Sequence, residues 1–336
     1  MENFLVYSLQ MITLEAFLEE WHNDSPYVRV QTSGSTGAPK PMLVEKRRML
    51  ASARRTNDFL GLKPGDTALL CMSLDYIAGK MMVVRTIERH LQLIYVEPSG
   101  HPLAKKHEGQ PSCITFAAMV PMQVYNSLQV PEEKERLKQI KHLIIGGGAI
   151  DEALADELKA FPNNVWSTYG MTETLSHIAL RRLNGEETSD WYTPFPSVEV
   201  NLSEDDCLVI DAPEVCEERL ATNDIAELDG KGRFRILGRK DNVICSGGLK
   251  IQAEEVERLL HPHLRVPYLI TKRPDEKFGE VVVLLTEGDM ETAKTVCESV
   301  LPKYQRPKAY VHVSEIPLTE TEKPARRQAQ QLAKDA

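Results

Sequence analysis

From residue 27 onward, short apolar runs alternate with stretches that carry apolar residues at helical spacing. Residues 27–31, 67–71, 91–96, 142–145 and 164–166 read as strands, and the segments near 45–60, 76–90, 115–139 and 151–160 read as helices. Alternation of that kind predicts an α/β sheet. From 197 to 237 the pattern changes to strand after strand with tight turns, Asp229-Gly230-Lys231-Gly232 among them, which predicts a β-rich subdomain. Beyond Gly238-Arg239-Lys240-Asp241 come a helix (253–260), strands (266–271 and 281–286), a helix (291–301) and a strand (309–313), a set small enough to fold separately. The expected boundary falls between Lys240 and Asp241, giving domains 1–240 and 241–336.

Composition narrows the class. The 336 residues have room for about two domains. Lys and Arg number 40 against 49 Asp and Glu, a formal charge of −9, which argues against a broad basic face for nucleic acid and leaves room for a local basic pocket. Six cysteines, at 71, 113, 207, 216, 245 and 297, show neither C-x-x-C nor zinc-type spacing, so free thiols in a reducing, cytoplasmic compartment are expected. Residues 1–14 hold an apolar stretch without a basic start or a small-residue cleavage site, and no run reaches the roughly 18 apolar residues of a membrane span. A small-molecule partner fits best.

The densest local chemistry is Thr32-Ser33-Gly34-Ser35-Thr36-Gly37-Ala38-Pro39-Lys40. Gly34 and Gly37 let backbone N–H groups face an anion, Ser33, Ser35 and Thr36 add hydroxyl donors, and Lys40 adds charge. The loop is expected to join a strand to a helix and to grip phosphate. It is not a Walker A loop, because no Ser or Thr follows Lys40, and a polar Ser/Gly turn is the plainer alternative. A second segment, residues 167–174, follows a predicted strand, where ligands of α/β sheets collect. In it Tyr169 offers a base-stacking ring, Thr172 a phosphate donor and Glu173 an oxygen ligand for Mg²⁺, and a solvated turn fits as well. Gly146-Gly147-Gly148-Ala149 allows close approach of a flat ligand, or is a simple strand-to-helix turn. The Asp224 carboxylate suits both hydroxyls of a ribose, with Arg239 fifteen residues on, although acidic turn residues are common. Lys323 stands in a charged tail of the kind that is usually solvated.

In this order the segments resemble the signature series of the adenylate-forming superfamily of acyl-CoA synthetases, adenylation domains and luciferases. Residues 32–40 resemble its phosphate loop, Tyr169-Gly170-Met171-Thr172-Glu173 its Tyr-Gly-x-Thr-Glu motif, Asp224 its ribose-binding aspartate, Gly238–Asp241 its hinge, and Lys323 its catalytic lysine. The resemblance covers nearly the whole chain. It implies a reduced adenylate-forming α/β fold: a large N-terminal domain with a β-rich subdomain, and a small, mobile α+β C-terminal domain. It also implies ATP, Mg²⁺ on Glu173, and coenzyme A as co-substrate. ATP or AMP would be bound by Thr32, Ser33, Gly34, Ser35, Thr36, Gly37, Lys40, Gly147, Gly148, Tyr169, Gly170, Asp224 and Arg239. Thr172, Glu173 and Lys323 would be catalytic, Asp241 the hinge, and Gly247 and Gly248 the neighbours of the CoA thiol arm. Three departures stand out. Only 31 residues precede the phosphate loop, where family members usually carry about a hundred more. Tyr76 stands where many members have a histidine, and Glu322 and Pro324 flank the lysine where a glycine usually precedes it.

Within the family, residues 74–85, 146–149 and 170–177 are most similar to the branch that activates o-succinylbenzoate for menaquinone biosynthesis. An aromatic dicarboxylate reacts through one carboxylate and needs a cation for the other. Lys80 is the first candidate and Arg85 the second, with a solvated helix face as the alternative. Tyr76, Ser176 and His177 are further candidates for the acid pocket. Two other readings fit the same sequence: an adenylation enzyme that loads a carrier protein, and a non-catalytic nucleotide-sensing module.

Overall fold

The computed structural model describes residues 12–31, 41–105, 113–148, 150, 152–319 and 323–336, with the side chain of Glu152 outside it. These residues group into two compact units, one running to Val198 and including Ala212–Glu218, the other formed by Glu199–Asp211 and Arg219–Ala336. The expected 240/241 boundary therefore lies inside the second unit.

The first unit opens with helix α1 (Leu14–His22), capped by the Thr13 side chain, which accepts from Ala16 N. Strands β1 (Tyr27–Gln31) and β2 (Pro41–Glu45) pair antiparallel, Tyr27 opposite Glu45. Residues 32–40 thus connect strand to strand, where a strand-to-helix connection was expected. Only Val44 is buried in β2, so its period-2 signal is weak. Next come α2 (Lys46–Phe59), β3 (Thr67–Leu70), α3 (Ile77–Arg89), β4 (Gln92–Tyr95), β5 (Phe116–Met119), α4 (Pro121–Gln129), α5 (Pro131–Lys138), β6 (His142–Ile145), α6 (Glu152–Lys159), β7 (Asn164–Met171), β8 (Ser176–Arg182) and β9 (Thr193–Pro194). The strands form one sheet in the order β4-β3-β5-β6-β7-β8-β9, parallel as far as β7 and antiparallel beyond.

Residues 115–139, expected as one helical stretch, divide into a strand and two helices. Phe116–Met119 is a wholly buried four-residue apolar run, which spacing alone cannot tell from a helix. Pro121 and Pro131 then stand in the first turn of each helix, where a missing N–H costs nothing. Leu69, Ala117, Met119, Leu143, Ile145 and Val165 of the sheet share one apolar cluster with Val124, Leu137, Leu154 and Leu158 of the helices. Helix α3 packs on α2, β3 and β8.

The second unit holds two sheets. One has the order β10-β11-β12-β13, built from β10 (Glu199–Leu202), β11 (Cys207–Asp211), β12 (Leu220–Leu228) and β13 (Phe234–Arg239). The other comprises β14 (Val243–Ser246), β15 (Leu249–Gln252), β16 (Tyr268–Asp275), β17 (Gly279–Thr286) and β18 (Ala309–His312), with α7 (Ala253–Leu260), α8 (Met290–Val300) and α9 (Arg326–Asp335). All six cysteines are free. No helix among the described residues is long and apolar enough to cross a membrane.

Candidate functional site

In the first unit the site residues gather where β7 ends and β8 begins. Tyr169 and Gly170 are the two residues before Met171, the last of β7, and Thr172–Thr174 form a single 3₁₀ turn before the chain reverses. A Cβ on Gly170 would lie 2.1 Å from the Ser176 carbonyl oxygen, so the reversal is closed by backbone packed on backbone. Leu175 and Ser176 both take positive φ, 58° and 129°. Non-glycine residues there carry strain of about 1–3 kcal/mol each, which the surrounding packing has to hold. Thr172 is buried and Glu173 exposed, without a partner among the described residues. No group of three or more His, Cys, Asp or Glu side chains among them is arranged to hold a metal. A lone accessible carboxylate suits Mg²⁺, which takes one or two protein oxygens and fills its octahedron with water and substrate phosphates.

Both candidate cations stand on helix α3, in different surroundings. Both side chains are buried, not on a solvated face. The Lys80 ammonium donates to the Arg29 carbonyl oxygen, lies 3.8 Å from the Glu20 carboxylate and sits 5.4 Å over the Phe17 ring. Its charge is already used within the fold. Arg85 has no carboxylate among the described residues: Nη2 donates to Ser176 Oγ at 2.7 Å, Nη1 points to Met82 Sδ at 3.8 Å, and Nε has no acceptor. Burial lowers its pKa to about 9. His177 Nδ1 lies 3.5 Å from Arg85 Nη2 and 3.2 Å from Ser176 Oγ, while its Nε2 lies 3.0 Å from Thr56 Oγ1. Burial, then the Arg85 charge, hold this imidazole well below its ordinary pKa, so it is neutral. Facing a guanidinium, Nδ1 is the acceptor. The proton is therefore on Nε2 and is donated to Thr56 Oγ1, whose hydroxyl donates on to the Ser52 carbonyl oxygen at 3.3 Å.

Thr56 escaped the sequence reading, although a signal existed. Met49, Ser52, Ala53, Thr56 and Asn57 form the buried stripe of α2, and three of the five are polar. A polar residue on an apolar stripe needs a buried partner. Tyr76 is the N-cap residue of α3, and Gly147, with φ 81°, and Gly148 follow β6. Thr32, Ser33, Gly34, Ser35, Thr36, Gly37 and Lys40 lie outside the described residues.

The second unit gathers its own group. Asp224 and Arg239 are register partners on β12 and β13, and Arg239 Nη1 donates to Asp224 Oδ1 at 2.8 Å. Asp241 Oδ2 accepts from Arg239 Nη2 and Asn223 Nδ2, each at 3.3 Å. The Lys323 amine is part-buried and held below the ordinary lysine pKa, first by desolvation and then by the Arg239 charge. Gly247 and Gly248, with φ of 58° and 84°, are the two turn residues between paired Ser246 and Leu249. Positive φ at both positions is the hairpin turn that glycine serves best.

Residues 10–215 match the AMP-binding enzyme family. A 2-succinylbenzoate–CoA ligase of Salmonella typhimurium is 28% identical over 87% of this chain and 66% of its own length, so the chain spans a little under two thirds of that relative. The crystal structure of an acyl-CoA synthetase (AMP-forming)/AMP-acid ligase II-like protein from Dyadobacter fermentans is 34% identical, with a TM-score of 0.64 over 94% of this chain and 92% of that one. The o-succinylbenzoate CoA synthetase MenE of Bacillus subtilis, in complex with the acyl-adenylate intermediate OSB-AMP, superposes with a TM-score of 0.74 over 90% of this chain and 68% of its own at 23% identity, a likeness of fold. With the family match covering more than half of the chain, the protein belongs to the AMP-binding, adenylate-forming enzyme family.

Proposed function

We propose that this protein is an ATP-dependent acid–CoA ligase that forms an acyl-adenylate and then an acyl-CoA thioester, with o-succinylbenzoate as the acid and menaquinone biosynthesis as the setting. The observation that carries the choice of acid is Arg85, a buried guanidinium with a hydroxyl, a neutral imidazole and no carboxylate around it among the described residues. A buried charge left unpaired costs several kcal/mol, and the second carboxylate of a diacid would remove that cost. The 2-succinylbenzoate relative supports the same assignment.

A carboxylate is a poor electrophile, because it would have to expel oxide. Attack of its oxygen on the α-phosphorus of ATP forms the acyl–AMP bond and releases pyrophosphate, giving the acyl carbon a good leaving group. Residues 32–37 and Lys40 would cradle the β- and γ-phosphates, Tyr169 would stack on the base beside Gly147 and Gly148, and Asp224 would accept from the ribose. Glu173 would hold Mg²⁺, which when bound neutralises phosphate charge. Lys323 would stabilise charge developing at the reacting phosphate, with Thr172 as a nearby donor. In the second half-reaction the CoA thiolate attacks the acyl carbon and AMP leaves. Lys323 is then no longer needed, and rotation of the segment beyond Asp241 would bring the Gly247–Gly248 turn to the thiol arm.

The test is a thioester-formation screen across aromatic and aliphatic mono- and dicarboxylic acids, with CoA and a carrier protein as acceptors. The expected result is CoA transfer with o-succinylbenzoate far ahead. A preference for simple monocarboxylates would overturn the choice of acid, and an absence of ATP–pyrophosphate exchange with every acid would overturn the ligase reading.

A further inference from the structure

Lys323 is tied to the residues on the far side of the segment 320–322. Thr319 N donates to the Lys323 carbonyl oxygen at 2.7 Å, Lys323 N donates to Thr319 Oγ1 at 3.1 Å, and Leu318 forms a single bridge with Pro324. Three residues on, Arg326 opens α9 and meets Glu257 of α7 fork to fork, Nη1 to Oε1 and Nη2 to Oε2, both at 2.7 Å. Arg326 Nη1 also donates to the Ile270 carbonyl oxygen at 2.8 Å, and Ile270 N donates to Glu257 Oε1 at 2.9 Å. The pair is thereby stitched to both backbone groups of one residue on β16. Its side chains are only 25% and 20% exposed, which keeps solvent screening low. A bidentate arginine–carboxylate pair fixes angle as well as distance. Further along α9, Ala329 and Ala333 sink into a cluster with Leu269, Val283 and Leu285, which seats the helix on the sheet through small side chains.

We propose that Arg326 and Glu257 are positioning residues for Lys323: the clamp fixes the entry of α9 and so aims the lysine three residues before it. The proposal rests on the reading of Lys323 as the adenylation lysine. At most about 11 Å of extended chain separates the two residues, so a change of angle at Arg326 moves the lysine directly. Displacement of a reacting group by about 1 Å can cost a hundredfold in rate.

Glu257→Gln, Arg326→Lys and Lys323→Ala are made in the full chain, and each is assayed for ATP–pyrophosphate exchange with the acid preferred in the screen, for thioester formation from the supplied acyl-adenylate, and for melting temperature. Lys323→Ala is expected to abolish exchange and leave the thioester step largely intact. The clamp variants are expected to lower kcat for exchange at least tenfold, with KM for ATP and the thioester rate both within twofold of wild type. Arg326→Lys, which keeps the charge and loses the fork, serves if Glu257→Gln does not fold. The proposal is overturned if Lys323→Ala separates the two half-reactions while the clamp variants leave exchange within twofold, or lose both steps equally as a purely structural role requires. If Lys323→Ala itself fails to separate them, the reading of the lysine falls first and takes the clamp with it.

Discussion

Two cations five residues apart on α3 have opposite fates, and the difference lies in what surrounds each. Lys80 has Glu20 and the Arg29 carbonyl oxygen as partners, so it ties α1 and β1 to the helix. Arg85 has neutral partners only, among the described residues. Arg85→Ala is therefore expected to lower kcat/KM for a diacid by at least tenfold and to leave KM for ATP unchanged, since losing one side of a buried charge pair costs about 2–5 kcal/mol. A neutral analogue of the acid should not register the substitution. Lys80→Met is expected to act on stability, lowering it by about 1–3 kcal/mol in a thermal melt because an acceptor is left bare, while the preference among acids stays as in wild type. A loss of diacid preference in Lys80→Met with Arg85→Ala silent would restore the order read from the sequence. The difference in surroundings was illegible because spacing places both cations on one helix and is blind to Glu20, which lies sixty residues upstream of Lys80.

At the scale of elements, β6 carries a titration that the fold has to bear. His142 is buried, 3.3 Å from Asn164 Nδ2, and burial, followed by the charges of Lys141 and Arg182, lowers its pKa from 6.5 to about 4. Between those values the unfolded chain binds the proton and the folded chain does not. Stability is thus expected to fall as pH drops from about 6.5 towards 4, by up to about 3 kcal/mol, and His142→Asn should flatten that limb in melts recorded across the range. Unchanged curvature would mean that other groups set the acid limb. The alternation of β3, β6 and β7 with helices was legible because buried parallel strands are short apolar runs between turn signals. Phe116–Met119 was not, since four apolar residues before a proline satisfy either period. The Asp224–Arg239 pairing was not legible: both residues stood out in the sequence, but only the register of β12 against β13 sets the two side by side. Arg326 met Glu257 from sixty-nine residues away, beyond the reach of any local pattern.

For the whole molecule, the proposed division of labour between half-reactions puts weight on Asp241. Asp241→Pro would fix φ near −65° and should slow thioester formation more than adenylation, the reverse of Lys323→Ala. Asp241→Ala, which removes the contacts to Arg239 and Asn223 but not the backbone freedom, is the control and should spare both steps. Equal slowing by both variants in both steps would make Asp241 a fold residue. A last consequence follows from the positive φ of Leu175 and Ser176. The direction in which Ser176 faces Arg85 is set by the main chain and by Gly170 packed behind it. On the proposed reading, exchanging the side chain at 176 would alter which acid is bound while the residues proposed to handle phosphate stay unchanged.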